Sequence, residues 1–88
     1  MSTAIMQAMA CKKTIIASDV AGINNMIVQN VSGLLVPVKD PGSLAAAIQQ
    51  LIKDRELAST LAVNAYQFAV DNYSNTTMFN SYKQLFDS

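Results

Sequence analysis

The order of structure-forming signals in residues 8–37 limits the fold more than any other feature of this chain. The stretch reads AMACKKTIIASDVAGINNMIVQNVSGLLVP. A small-residue helix runs into a β-branched strand, then a Gly turn, a short helix, a second Gly turn and another apolar strand. Such an αβαβ rhythm predicts a parallel sheet with helical crossovers, an α/β fold. Residues 14–18, TIIAS, are nearly all apolar or β-branched, which suits a strand covered on both faces. Residues 34–36 form the second strand, stopped by Pro37. Two parallel strands alone are not expected to be stable in water. Further strands upstream, or another molecule, are expected to complete the sheet.

Helices surround this pair. Residues 2–12 place Ile5, Ala8 and Met9 on one apolar face beside Ala4, with Ser2 or Thr3 as the cap. Lys12 and Lys13 follow at the C-terminal end, where cations suit the helix dipole. Residues 23–29 read as a short helix with Ile23, Met26 and Ile27 inward. Asp40 before Pro41 is a strong helix start, the carboxylate capping and the proline at the first helical position. Leu44, Ile48, Leu51 and Ile52 then carry an apolar stripe to Lys53. A further helix runs from residue 55 to about 70, with Leu57, Leu61, Ala65 and Phe68 on one face, and residues 71–73 break it. Ser74 is expected to cap a last helix bearing Met78, Phe79, Tyr82, Leu85 and Phe86. The C-terminal half is thus helical, and the 88 residues allow one small unit without a linker.

Composition narrows function by exclusion. Six basic and six acidic residues give zero net charge, and Lys12–Lys13 is the largest basic cluster, so nucleic acid has no electrostatic support as a partner. There is no histidine and one cysteine, Cys11, which excludes a Cys/His metal site, a His-dependent triad and an internal disulfide. No metal or other cofactor is expected. No apolar run is long enough to cross a membrane, and the N-terminal residues lack the basic-then-apolar order of a signal peptide. A cytoplasmic location follows as the expectation. Yet 51% of residues are apolar and 14% charged, with mean hydropathy +0.24. This is greasy for a small domain, and a homo-oligomer, a symmetric dimer, is expected to cover the surplus. The methionines read as core filler and Cys11 as small helix filler.

The words AMAC, TIIAS, AGI and SGLLVP, in this order and at these intervals, resemble the carboxy-terminal region of family 4 glycosyltransferases. There the matching stretch typically runs EAMACGKPVIAS, GGIPE and GLLVP. The resemblance covers most of the chain and implies a partial Rossmann-like unit, from the C-terminal domain of a GT-B fold. It implies a fragment of a retaining enzyme that uses a nucleotide-sugar donor, with the upstream strands and acceptor domain absent and the isolated chain inactive. In that family a turn opening a helix holds the donor diphosphate, and the Glu of EAMA commonly binds the ribose. The resemblance carries these roles onto the backbone of Ser2, Thr3 and Ala4 and onto Gln7, which replaces the Glu. No catalytic residue is carried over, because the first acid of the motif would precede Met1. Four other positions depart from the pattern: Lys12 and Ala21 replace Gly, Thr14 replaces Pro, and Asn25 replaces the Glu of GGIPE. The alternatives are a self-associating α/β interaction module without activity, and a weak nucleotide binder without transfer.

Overall fold

The computed structural model describes residues 2–87. Helix α1 (Thr3–Ala10) leads into strand β1 (Ile16–Ser18), a loop, strand β2 (Leu34–Val36), and helices α2 (Pro41–Lys53), α3 (Arg55–Tyr73) and α4 (Thr77–Asp87). The strands are adjacent and parallel, with Ile16, Ala17 and Ser18 opposite Leu34, Leu35 and Val36. Two apolar clusters sandwich them. On one side α1 and α4 pack together over Ile15, with Met6, Met9, Met26, Ile27, Ala65, Ala69 and Phe79 buried. On the other, α2 packs Ala47 and Leu51 onto Leu34 and Val36. Helix α3 is long enough to serve both, through Ala58 and Leu61 at its start and Ala65 and Ala69 further on.

The helix ends follow their side chains. Ser2 caps α1, its hydroxyl accepting from Ile5 N–H at 3.3 Å. At the other end, Lys12 N–H donates to Met9 C=O and Lys13 N–H to Ala8 C=O, a Schellman closure that needs a left-handed residue after the cap. That residue is Lys12, at φ 57°. The family pattern has Gly there, and the left-handed turn explains why. The Lys12 ammonium lies 4.8 Å from the Tyr66 ring centre and 5.8 Å from that of Phe86. It therefore offsets some of the backbone strain through the rings rather than by resting on the last carbonyls of α1. Asp40 caps α2 and Asp54 caps α3, accepting from Ser43 N–H at 3.0 Å and Leu57 N–H at 2.9 Å.

Gly33 is where the two strands come closest to the loop. A Cβ there would meet Ile15 C=O and Ile27 Cγ2, both at 3.0 Å. Beside it, Ser32 is buried, its hydroxyl accepting from Val28 N–H at 2.9 Å. The SG of SGLLVP is thus a packing requirement.

Several expectations are corrected. Residues 21–26 are turns and no helix forms at 23–29. Gly22 enters at φ 88°, and Ile23, Asn24 and Asn25 are weak helix formers, so one turn of bonds forms and cannot repay helix nucleation. Met26 and Ile27 are buried as expected. The first strand begins at Ile16; Ala17 packs on one cluster and Ile16 on the other, but all three residues are half-buried, so the cover on both faces is partial. Helix α3 passes 71–73 and ends at Tyr73, helped by Gln67 donating to Asp71 and by the edge-on packing of Tyr73 against Phe68. Ser74 is the C-cap of α3 instead of the start of α4. The apolar stripe of α2 is mostly outside: Leu51 is buried, whereas Leu44, Ile48 and Ile52 are exposed. Among the apolar residues expected to form the face of α4, Phe79 is buried, Tyr82 half-buried, and Met78, Leu85 and Phe86 exposed.

Candidate functional site

A short link, Cys11 to Ile15, joins α1 to β1, and α1 packs against α3 and α4. In open α/β sheets ligands bind at the carboxyl ends of the strands. The first turn of α1 leaves backbone N–H groups without intrahelical acceptors, and the Ser2 hydroxyl takes that of Ile5. Thr3 and Ala4 are exposed and Ser2 is half-buried. The first turn carries no acidic residue, so the partial positive charge of the helix end is not cancelled by its own side chains.

Gln7 is exposed on the same helix. With Ala4, Ala8, Cys11 and Lys13 it lines an open cavity of about 280 Å³. The structure thus puts Ala4 and Gln7 on one wall, one helical turn apart. Ser2 and Thr3 lie at the helix start, outside that lining. Ser2 serves the helix as a cap, the role that its hydroxyl is expected to play.

A second cavity, about 400 Å³, opens at the carboxyl ends of both strands. Ile16, Ala17 and Ser18 form one side; Val36, Pro37, Lys39, Asp40, Pro41 and Leu44 form the other. Sequence reasoning treated Asp40 only as a cap and passed over Lys39 and Ser18. The strand-end rule was the signal that could have found them, but it needs strand ends placed side by side. Asp40 faces α2: its two oxygens accept from Ser43 N–H at 3.0 Å and Ser43 Oγ at 2.8 Å. These bonds, the backbone one first, hold its carboxyl below the usual carboxylate range, against the opposing effect of burial. The N-terminus of α2 therefore already has its anion, whereas that of α1 has a neutral hydroxyl.

Asn25, which stands where the GGIPE pattern has Glu, is exposed in the loop after β1, where Asn24 donates to Asp19 Oδ1 at 3.1 Å. Cys11 is half-buried. Among the described residues no group of three His, Cys, Asp or Glu side chains could hold a metal ion, and no helix is long and apolar enough to cross a membrane.

A family model described as Glycosyl transferases group 1 matches residues 1–68. Over 87 residues the chain is 28% identical to an uncharacterized glycosyltransferase of Methanocaldococcus jannaschii, a match covering 99% of this chain and 22% of that protein. It is 31% identical over 70 residues to the alpha-D-kanosaminyltransferase of Streptomyces kanamyceticus, covering 80% of this chain and 18% of the other. Among solved structures, sucrose-phosphate synthase from Thermosynechococcus elongatus superposes with TM-score 0.82 at 31% identity, over 99% of this chain and 22% of that one. The chain thus spans about a fifth of the length of these relatives.

Proposed function

The chain belongs to the group 1 glycosyl transferases of GT-B fold, and from that membership we propose that it forms part of the nucleotide-sugar donor site of a retaining, cytoplasmic transferase. The N–H groups of Ser2, Thr3 and Ala4 cradle the donor diphosphate, and Gln7 hydrogen-bonds the ribose. One observation carries this reading: the N-terminus of α2 is neutralised by the Asp40 carboxylate, and that of α1, capped by a neutral hydroxyl, is not. An anion gains at α1 and is repelled at α2. A neutral amide at Gln7 lacks the charge-assisted strength of a carboxylate, so affinity is weak. By itself the chain does not transfer sugar, because transfer requires an acceptor held in line with the donor and stabilisation of the departing diphosphate from both sides.

Titration with UDP, GDP and ADP, followed by amide shifts, tests the site. Shifts should cluster at Thr3, Ala4 and Gln7, and Gln7→Glu should tighten binding by about fivefold. Shifts confined to Ser18, Lys39 and Asp40 would move the site to the strand-end cavity. Sugar transfer by the purified chain would refute the inactive reading.

A second reading, self-association of the chain, is supported by the exposed Leu44, Ile48 and Ile52 on α2 and the half-buried β1. Sedimentation at micromolar concentration tests it, and a stable monomer would overturn it.

A further inference from the structure

The Glu that the family pattern places before AMA is an amide in this chain, and the two groups meet a ribose differently. A carboxylate only accepts. Its two oxygens take the hydrogens of two neighbouring hydroxyls, and both bonds are charge-assisted. An amide offers one oxygen as acceptor and two N–H groups as donors, all neutral. Gln7 is exposed on α1, and among the described residues nothing holds its side-chain amide. The cavity that it lines is completed by Ala4, Ala8, Cys11 and Lys13. Ala4 and Ala8 present methyl groups, Lys13 can only donate, and the Cys11 sulfur is a weak acceptor. Among the described side chains of this cavity, the one strong acceptor is the Gln7 oxygen.

We infer that Gln7 makes the donor site of this chain indifferent to the ribose 2′-hydroxyl, so that it takes 2′-deoxyribonucleoside diphosphate donors as well as ribonucleotide ones. The inference rests on the donor-site reading, with Gln7 at the ribose, and names the nucleotide sugar that the site admits. With a carboxylate, both ribose hydroxyls donate to the charge, and removing the 2′-hydroxyl removes a charge-assisted bond. With Gln7, one hydroxyl donates to Oε1 and its neighbour accepts from Nε2. Removing the 2′-hydroxyl then costs one neutral bond. The amide turns about its last torsion, so either end can meet the 3′-hydroxyl that remains. The other end returns to water, because Gln7 is exposed, and no buried group is left unsatisfied. A site rejects a substrate that lacks a hydroxyl when a buried polar group loses its partner. Gln7 is not such a group, and the methyl groups beside it ask nothing of the sugar.

Titration of the 88-residue chain with UDP and with 2′-deoxy-UDP, followed by amide shifts at Thr3, Ala4 and Gln7, tests the inference. The two dissociation constants should agree within about twofold, since one neutral, exposed bond separates the ligands. Gln7→Glu restores the carboxylate and should raise the preference for UDP to about fivefold. Gln7→Ala should weaken both nucleotides alike. The position is exposed on its helix, so both variants keep the fold, and circular dichroism checks this. A wild-type preference for UDP of about fivefold or more would overturn the inference and leave the donor site standing. So would a Gln7→Glu variant with no gain in preference, or a Gln7→Ala variant that weakens UDP alone. Absence of shifts at Thr3, Ala4 and Gln7 with either nucleotide would overturn the donor-site reading, and this inference with it.

Discussion

Among the described residues a side chain closes the outer edge of β2 and none closes that of β1, although both are three-residue strands. The difference is one side chain. Gln29 reaches Leu35 with both its donor and its acceptor, and a loop residue thereby terminates the sheet without adding a strand. Among the described residues the other edge has no such plug. An unplugged edge is a template for another strand, and a plugged one is not. Leu35 is therefore satisfied on its outer side by one loop side chain, without a further strand.

Four measurements break or sharpen this contrast. The largest effect is expected from Gly33→Ala, which strikes the ladder that both edges share. Its Cβ would press Ile15 C=O and Ile27 Cγ2 from 3.0 Å, and β1 would have to shift. A loss of about 1–3 kcal/mol in chemical denaturation is expected, and an unchanged midpoint would show that the strands yield easily. Next is Gln29→Ala, which unplugs β2. Two exposed hydrogen bonds disappear, for a loss of about 1 kcal/mol. The Leu35 amide should exchange hydrogen faster, because both of its Gln29 bonds are lost. If Leu35 exchange stays slow, Gln29 is not what closes the edge.

Smaller effects are expected where the strands are entered and left. Lys12→Gly, at the entry to β1, removes the left-handed strain of about 1 kcal/mol and also the contacts with Tyr66 and Phe86. The terms oppose, so stability should change by less than about 0.5 kcal/mol in thermal melts. A large loss would show that the ring contacts dominate. At the exit from β2, Asp40 is held below its ordinary pKa in the folded chain by Ser43. Its contribution is therefore complete above the unfolded carboxyl value and fades as pH falls through the lower folded value. Acid titration should shift the Ser43 amide and loosen the first turn of α2, leaving Ile16 and Gln29 amides unmoved. A coincident change at Leu35 would tie the closed edge to this cap.

Much of the fold was legible because its signals are local. Asp40 and Pro41 marked the start of α2, TIIAS and LLV marked strands, and the parallel pairing followed from their order. Ser2 and the Ala4–Gln7 spacing were legible for the same reason, since a helix turn is set by sequence distance. The failures are also instructive. Ile23, Met26 and Ile27 have helical spacing, yet Gly22 at φ 88° and two asparagines leave only turns. The α2 row at Leu44, Ile48 and Ile52 looked like core, yet periodicity shows that residues share a face and not that the face is covered. Lys39 and Ser18 went unnoticed because they meet only where separate strand ends converge.

What the sequence determined by itself is the set of elements, their order, and membership in the glycosyl transferase family through AMAC, TIIAS and SGLLVP. These depend on backbone propensity, caps and spacings, which act over a few residues. The tertiary structure decided the rest: that Lys12 occupies a left-handed turn over two aromatic rings, that Gln29 closes one edge, that β1 is half-buried and most of the α2 stripe exposed, and that α1 rather than α2 keeps its positive end. Each of these depends on which groups, distant along the chain, are brought within a few ångströms, and hydrogen bonds and burial act only at that range.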